Sequence, residues 1–156
     1  MMLANRSFAV LLAVVAAAFA LPAAAQAHAE ISGGPLARGG AATVHLALEH
    51  GCSGEGASLA AVNRVDLLVP AGFSRVVPRP VGGWRSNVSS TSLGTVIRWN
   101  RTRAGALASD FPIFLVAPRK AGRFGLPVVQ HCGSASLHWT QKGYQPEYPL
   151  PYLRVR

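Results

Sequence analysis

Acidic side chains are scarce in this sequence, and their scarcity excludes several kinds of function. Only six of the 156 residues are aspartate or glutamate, against 15 lysines and arginines, and the formal net charge is +9. So few carboxylates leave little material for acid–base hydrolysis, and no Ser/His/Asp set or phosphate-binding loop is recognisable. The arginines stand singly, without basic runs interleaved with aromatics, so we expect a solvated cationic surface and no nucleic-acid partner.

Long apolar runs are also missing after the first segment of the chain. The run from Phe8 to Leu21 follows Arg6 and precedes an alanine-rich stretch, a pattern typical of a cleaved export signal. It is short for a membrane span, and Pro, Gly or charge interrupts every later run, so no integral membrane segment is expected. The sequence predicts a signal peptide over residues 1–27 and one periplasmic or secreted domain over residues 28–156.

The predicted cleavage site decides which residue begins the mature chain. Small residues at Ala25 and Ala27 favour a cut that leaves His28 first, although cuts leaving Gln26 or Glu30 fit the same rule. A terminal histidine offers its α-amine and imidazole Nδ1 to one metal ion as a chelate. Copper(II) favours tetragonal nitrogen and oxygen donors, so His28 is a candidate copper ligand.

Cysteine occurs only at positions 52 and 132. An even pair in an exported chain predicts a disulfide, Cys52–Cys132, which closes a loop of about 80 residues and stabilises the fold by roughly 3 to 4 kcal/mol. A copper–thiolate site is the alternative, and oxidising surroundings disfavour it.

A sustained helical period is absent after His28, and short alternating segments take its place. In Thr43–Glu49 the apolar residues share one face and His45 lies on the other. Residues 57–62 are compatible with one helical turn. Seven or eight strands are expected, and together with one disulfide they predict an all-β, antiparallel sandwich of immunoglobulin or cupredoxin type. The further predicted strands are Val62–Val69, Val88–Ser92 and Thr95–Trp99 as a hairpin about Gly94, Phe111–Val116, Phe124–Val129, Leu137–Thr140, and Tyr152–Val155 at an edge.

A set of short motifs occurs in the same order as in the YcnI-like copper-binding family, which this chain resembles over nearly all of residues 28–156. Members of that family are exported β-sandwich proteins, so the resemblance implies one copper(II) held by a brace built on an N-terminal histidine. The motifs are His50-Gly51-Cys52, Val69-Pro70-Ala71-Gly72, the run from Val77 to Trp84, Asp110-Phe111, the run from Pro127 to Cys132, Trp139, and Pro149-Leu150-Pro151.

The resemblance also implies which residues complete the copper site. It assigns the brace to His28, the acidic ligand to Asp110 and a neighbouring tryptophan to Trp139. The family carries glutamate where this chain has Asp110, and aspartate is one methylene shorter. Glu30 shares strand parity with His28 and is therefore an alternative acidic ligand.

The expected function is that of a copper carrier rather than an enzyme, with a copper ion and another copper-handling envelope protein as partners. If a second histidine converges on His28, the site becomes a two-histidine brace of the kind used by oxidative copper enzymes. A metal-free envelope interaction module is the third hypothesis, in which the basic surface carries the function.

Overall fold

The computed structural model describes residues 28–53 and 57–156. Apart from one 3-10 turn, the regular secondary structure in this part of the chain consists of short strands. The signal-peptide prediction falls on residues 1–27 and lies outside this part. A single 3-10 turn, Leu59–Ala61, matches the turn expected within residues 57–62. The strands are β1 Ala29–Ser32, β2 Ala41–Leu48, β3 Arg64–Pro70, β4 Ser74–Pro78, β5 Trp84–Thr91, β6 Gly94–Arg101, β7 Asp110–Val116, β8 Gly122–Gly125, β9 Val128–Cys132, β10 Ala135–Trp139 and β11 Tyr152–Val155.

The strands form two main sheets and a small third one. One sheet has the order β1-β2-β7-β4, the other has the order β10-β9-β3-β6-β5, and β11 pairs with β8. Every pairing between these strands is antiparallel. The prediction of an all-β antiparallel sandwich is confirmed.

Apolar and polar residues alternate along strands such as β2, so the apolar side chains of these strands point into the core. In β2 the residues Val44, Leu46 and Leu48 are at most 2% exposed, as the sequence predicted, and their neighbours face outward. β7 and β3 supply matching rows of apolar side chains, which join those of β2 in one buried cluster. Side chains buried from both sheets exclude water and supply most of the driving force for folding.

The Cys52–Cys132 disulfide predicted from the sequence is present, with the two Cα atoms 5.9 Å apart. It ties the segment after β2 to the end of β9, and so links the two sheets at one end of the sandwich. The described part of the chain contains no free cysteine, and the structure does not form the alternative copper–thiolate site.

Some predicted strand boundaries are wrong. The described residues form eleven strands rather than seven or eight, because β1 and β4 were not among the predicted strands and because the predicted strand Phe124–Val129 is two strands. Pro127 cannot donate to a ladder, and β8 and β9 pair with different partners on either side of it. The hairpin about Gly94 is confirmed, but its first strand begins at Trp84 rather than Val88.

Within the described residues, no helix has the length and apolar character needed to cross a bilayer.

Candidate functional site

Carboxylates and histidines gather on the outer face of the four-stranded sheet, at the end where β7 begins. Glu30 of β1 lies opposite Ala47 of β2, and Ala47 lies opposite Asp110 of β7. Half of the six acidic residues in the sequence, Glu30, Glu49 and Asp110, therefore lie at this one end of a strongly basic chain. We call the group His28, Glu30, His45, Glu49 and Asp110 the carboxylate end.

His28 immediately precedes β1 and faces Glu49. The β1–β2 register pairs Ala29 with Leu48, so His28 and Glu49 occupy the next position outward. The main-chain N–H of His28 donates to Oε2 of Glu49 at 3.4 Å. If the chain is cut after Ala27, this nitrogen becomes the α-amine, and it then lies beside a carboxylate.

A cavity of about 470 Å³ opens beside His28. Glu30 and Arg123 contribute its charged walls, and residues 149–152 close the other side. His28 itself is half-buried. His28 is thus partly enclosed by the fold and remains within reach of solvent.

Asp110 pairs with His45 rather than with His28. Nδ1 of His45 lies 3.0 Å from Oδ1 and 2.9 Å from Oδ2 of Asp110. Both side chains are about half exposed, at 43% and 52%. The acidic residue that the family resemblance assigns to the metal is therefore engaged by a neighbouring imidazole in this structure.

Trp139 lies in the interior, beneath the same end of the sandwich. It is 2% exposed, and its indole N–H donates to Oε1 of Gln130 at 3.2 Å. Its ring packs against His50 and Tyr148, with centroids 5.6 and 5.5 Å away. Trp139 thus faces the core, whereas Asp110 faces outward from the opposite sheet, so the structure does not bring these two side chains together on one face.

Gln130 joins Trp139 to the chain segment that carries Glu49. Its Nε2 donates to the carbonyl oxygen of His50, and Gln130 is fully buried. His50 is 5% exposed and its Nδ1 contacts the carbonyl oxygen of Gly51. A buried hydrogen-bond network therefore holds His50 in place, and so orients the main chain at the neighbouring residue, Glu49.

The remaining histidines lie on the five-stranded sheet. His131 Nε2 lies 2.8 Å from an Arg64 nitrogen and 3.4 Å from Oδ2 of Asp66, and His138 contacts Ser136. Burial, and next the positive charge of Arg64, lower the pKa of His131 from its ordinary value. The second histidine that a two-histidine brace needs is thus not supplied by this sheet. His45 lies in β2, on the sheet of β1, and is four residues before Glu49, a span of about 13 Å in extended chain.

Side chains alone form no metal-binding cluster in the described part of the chain. Within residues 28–53 and 57–156, no three His, Cys, Asp or Glu side chains are arranged to hold a metal ion. A terminal histidine brace requires fewer side chains, because the α-amine and the imidazole come from one residue. Glu49 is the carboxylate that the structure places beside the main-chain nitrogen of His28.

Sequence reasoning missed the contact of Glu49 with His28 and the pairing of His45 with Asp110. Alternation along β2 predicted that His45 and Glu49 share the outer face. What lies opposite them depends on the registers of β1 and β7, which no turn signal in the sequence specified.

Comparison with known proteins identifies the fold only. No protein-family model matches the chain, and no curated protein matches it. The structure is similar to that of an uncharacterized protein from Nocardia farcinica whose crystal structure reveals an immunoglobulin-like fold. The TM-score is 0.63 at 19% sequence identity, and the match covers 82% of this chain and 97% of that chain. The domain is thus an immunoglobulin-like sandwich.

Proposed function

We propose that this protein is an exported copper(II) carrier that binds one ion through the α-amine and imidazole of mature His28. The observation that carries the proposal is the 3.4 Å approach of the His28 main-chain nitrogen to Oε2 of Glu49. After cleavage at Ala27 this nitrogen is the α-amine, so the proposed site takes an amine and an imidazole from His28 and a carboxylate oxygen from Glu49. The resemblance of the ordered motifs to the YcnI-like copper-binding family supports the same reading.

The chemistry of these donors favours copper(II). An amine, an imidazole and a carboxylate suit the tetragonal coordination that copper(II) prefers, and copper(II) stands at the top of the affinity order for divalent ions. Glu30 and Asp110 add negative charge to this end, which attracts a cation toward a chain that is strongly basic as a whole.

Glu49 replaces Asp110 as the acidic ligand in this proposal, because Asp110 is paired with His45 while Glu49 faces the His28 nitrogen. Trp139 acts as a positioning residue. It packs on His50 from the interior and holds the Glu49–His50 segment in place, rather than facing the ion. The half-exposed position of His28 supports a carrier role, since a partner protein can reach an ion bound there without unfolding the site.

The first test is the mass of the protein exported by its native host, before and after addition of one equivalent of copper(II). We expect a chain that begins at His28 and gains one copper. A chain beginning at Gln26 or Glu30 would contradict the terminal-histidine site.

The second test compares the chain that begins at His28 with the same chain acetylated at its α-amine. Electron paramagnetic resonance and competition with a chelator should detect one tight copper(II) in the first protein and a loss of that tight binding in the second, because the acetylated nitrogen is an amide and no longer serves as the amine of the chelate. Binding should also weaken below pH 8, since the α-amine has a reference pKa of roughly 8 and must lose its proton.

Substitution of carboxylates identifies the acidic ligand. Glu49→Gln should weaken copper(II) binding by roughly 10- to 100-fold, while Glu147→Gln, an exposed glutamate outside the carboxylate end, serves as the matched control. If Asp110→Asn weakens binding and Glu49→Gln does not, the acidic ligand is the one that the family resemblance implies. Equal copper binding by the acetylated chain would refute the brace itself.

A further inference from the structure

A second cavity, of about 590 Å³, lies at the opposite end of β7 from the carboxylate end. β7 runs from Asp110 at one end to Val116 in the wall of this cavity, about 20 Å away along the strand. We call the second site the arginine pocket. It is lined by Arg38, Gly39, Gly72, Ser74, Val116, Ala117, Pro118 and Arg119.

Two backbone hydrogen bonds hold the two arginine-bearing loops together. The N–H of Gly39 donates to the carbonyl oxygen of Pro118 at 3.1 Å, and the N–H of Ala117 donates to that of Gly40 at 2.8 Å. Arg38 and Arg119 each directly adjoin one of these bonded residues. The two side chains are therefore brought to one pocket by fixed backbone, and a ligand that bridges them need not order the loops first.

Neither guanidinium has an acidic partner in the described part of the chain. The ion pairs found over residues 28–53 and 57–156 involve the carboxylates of Asp66 and Asp110, and both lie elsewhere. Arg98, by contrast, is neutralised by Asp66 at 2.9 Å. Arg38 and Arg119 are exposed, and no carboxylate lines the pocket. The pocket lining thus combines two guanidinium groups, neither in an ion pair within the described residues, with the hydroxyl of Ser74 and no carboxylate side chain.

The backbone beside Ser74, one wall of the arginine pocket, is strained. The β4–β7 register shifts between Ser74 and Val77, so β4 carries a bulge there. Arg75, within the bulge, has φ +50°, in the left-handed region that residues other than glycine rarely adopt. Bulges re-aim side chains, and strained residues concentrate at functional sites.

We propose that the arginine pocket binds a phosphate group, carried either by a lipid headgroup or by a soluble phosphate compound. A guanidinium presents a planar fork of N–H donors that matches phosphate oxygens in a bidentate manner, and the several oxygens of a phosphate can engage two or three such forks at once. The pocket is within the size range of small-ligand sites, so there is room for a substituent on the phosphate.

The test uses the copper-free chain that begins at His28 and inorganic phosphate as the probe, at constant ionic strength set with chloride. Phosphate should shift the amide NMR signals of Gly39, Gly72 and Ser74 in the wild-type protein. The double variant Arg38→Gln/Arg119→Gln should bind phosphate at least about tenfold more weakly, in line with the loss of more than one charge-assisted hydrogen bond.

The matched control is Arg85→Gln/Arg103→Gln, which removes the same charge from two exposed arginines outside the pocket. It should bind phosphate within about twofold of the wild type, a difference well below 1 kcal/mol. An equal loss in both double variants would mean that net charge alone attracts phosphate and would overturn the proposal. Absence of shifts at Gly39, Gly72 and Ser74 would also overturn it.

Vesicles distinguish the two sources of the phosphate. Retention on phosphatidylglycerol vesicles but not on phosphatidylcholine vesicles, lost in Arg38→Gln/Arg119→Gln, would assign the pocket to an anionic lipid headgroup. Specific phosphate shifts without vesicle retention would assign it to a soluble phosphate compound. No copper is present in these measurements, so this proposal and the proposed copper site can each fail alone.

Discussion

The carboxylates of this chain are few, and their partners differ in kind. Asp66 accepts two hydrogen bonds from Arg98 and lies 3.4 Å from Nε2 of His131. Glu49 faces the His28 nitrogen instead of a fixed cation. At the scale of single residues, therefore, Asp66 belongs to a structural ion-pair network, whereas Glu49 is available to a ligand.

His131 should make the stability of the protein depend on pH. Burial and Arg64 lower its pKa below the ordinary value of 6.5. The unfolded chain then binds more protons between the two pKa values, so the free energy of unfolding rises with pH across that window. This contribution is fully present above pH 6.5 and is lost as the pH falls toward the lowered pKa. Urea unfolding of wild type and His131→Gln at several pH values should show a weaker loss in acid for the variant.

Ser136→Ala is the control for this comparison, because Ser136 lies directly opposite His131 on β10 and does not titrate. It should keep the wild-type pH dependence. An equal acid loss in wild type and His131→Gln would mean that other groups cause it.

At the scale of elements, β9 and β10 carry a buried polar contact in an otherwise apolar interior. Gln130 on β9 is fully buried, and it satisfies both the indole N–H of Trp139 on β10 and the carbonyl oxygen of His50. A buried polar group stabilises a fold only while its partners are in place. The indole N–H of Trp139 and the carbonyl oxygen of His50 therefore both depend on one amide side chain for a hydrogen-bond partner.

Gln130→Leu should destabilise the protein by about 2 to 4 kcal/mol, because it leaves a buried donor and a buried acceptor without partners. Denaturant unfolding followed by tryptophan fluorescence measures the change. Val129→Thr, which alters the outward-facing neighbour on β9, should change stability by less than about 0.5 kcal/mol. Comparable losses of stability in the two variants would show that the hydrogen bonds of Gln130 contribute no more to stability than an outward-facing side chain.

The elements that sequence reasoning predicted are those whose signal is local. Alternation in β2 and the glycine-centred hairpin of β5 and β6 follow from side-chain period and turn chemistry, and both are present. β1 is four residues long and has too few residues to show a period. Its register, which sets His28 against Glu49, depends on pairing with β2 and could not be read from its own residues.

The candidate site was predictable in its parts but not in its assembly. His28 was found because a terminal histidine has a chemistry of its own, and Asp110 through its family motif. The pairing of Asp110 with His45 and the burial of Trp139 depend on contacts between strands far apart in sequence. Such contacts are properties of the folded sheet rather than of any local segment.

At the scale of the whole molecule, one disulfide joins the two sheets beside the carboxylate end. Replacing both Cys52 and Cys132 by alanine should lower the free energy of unfolding by about 2 to 5 kcal/mol, because the bond closes a loop of 80 residues in the unfolded chain. Thermal and denaturant unfolding measure this loss. An unchanged midpoint would mean that hydrogen bonds and packing around Gln130 alone hold this end.

The proposed copper site depends on where the protein is in the cell as well as on its geometry, because it uses the main-chain nitrogen of His28 as an amine. While residue 27 is attached, this atom is an amide, neither basic nor available as the amine of a chelate. Under the proposed processing, hydrolysis of one peptide bond during export creates the donor beside Glu49, which the fold has already placed 3.4 Å away. In this proposal the uncleaved precursor lacks the copper site. The signal peptidase that releases the protein from its signal peptide also creates the amine that binds copper.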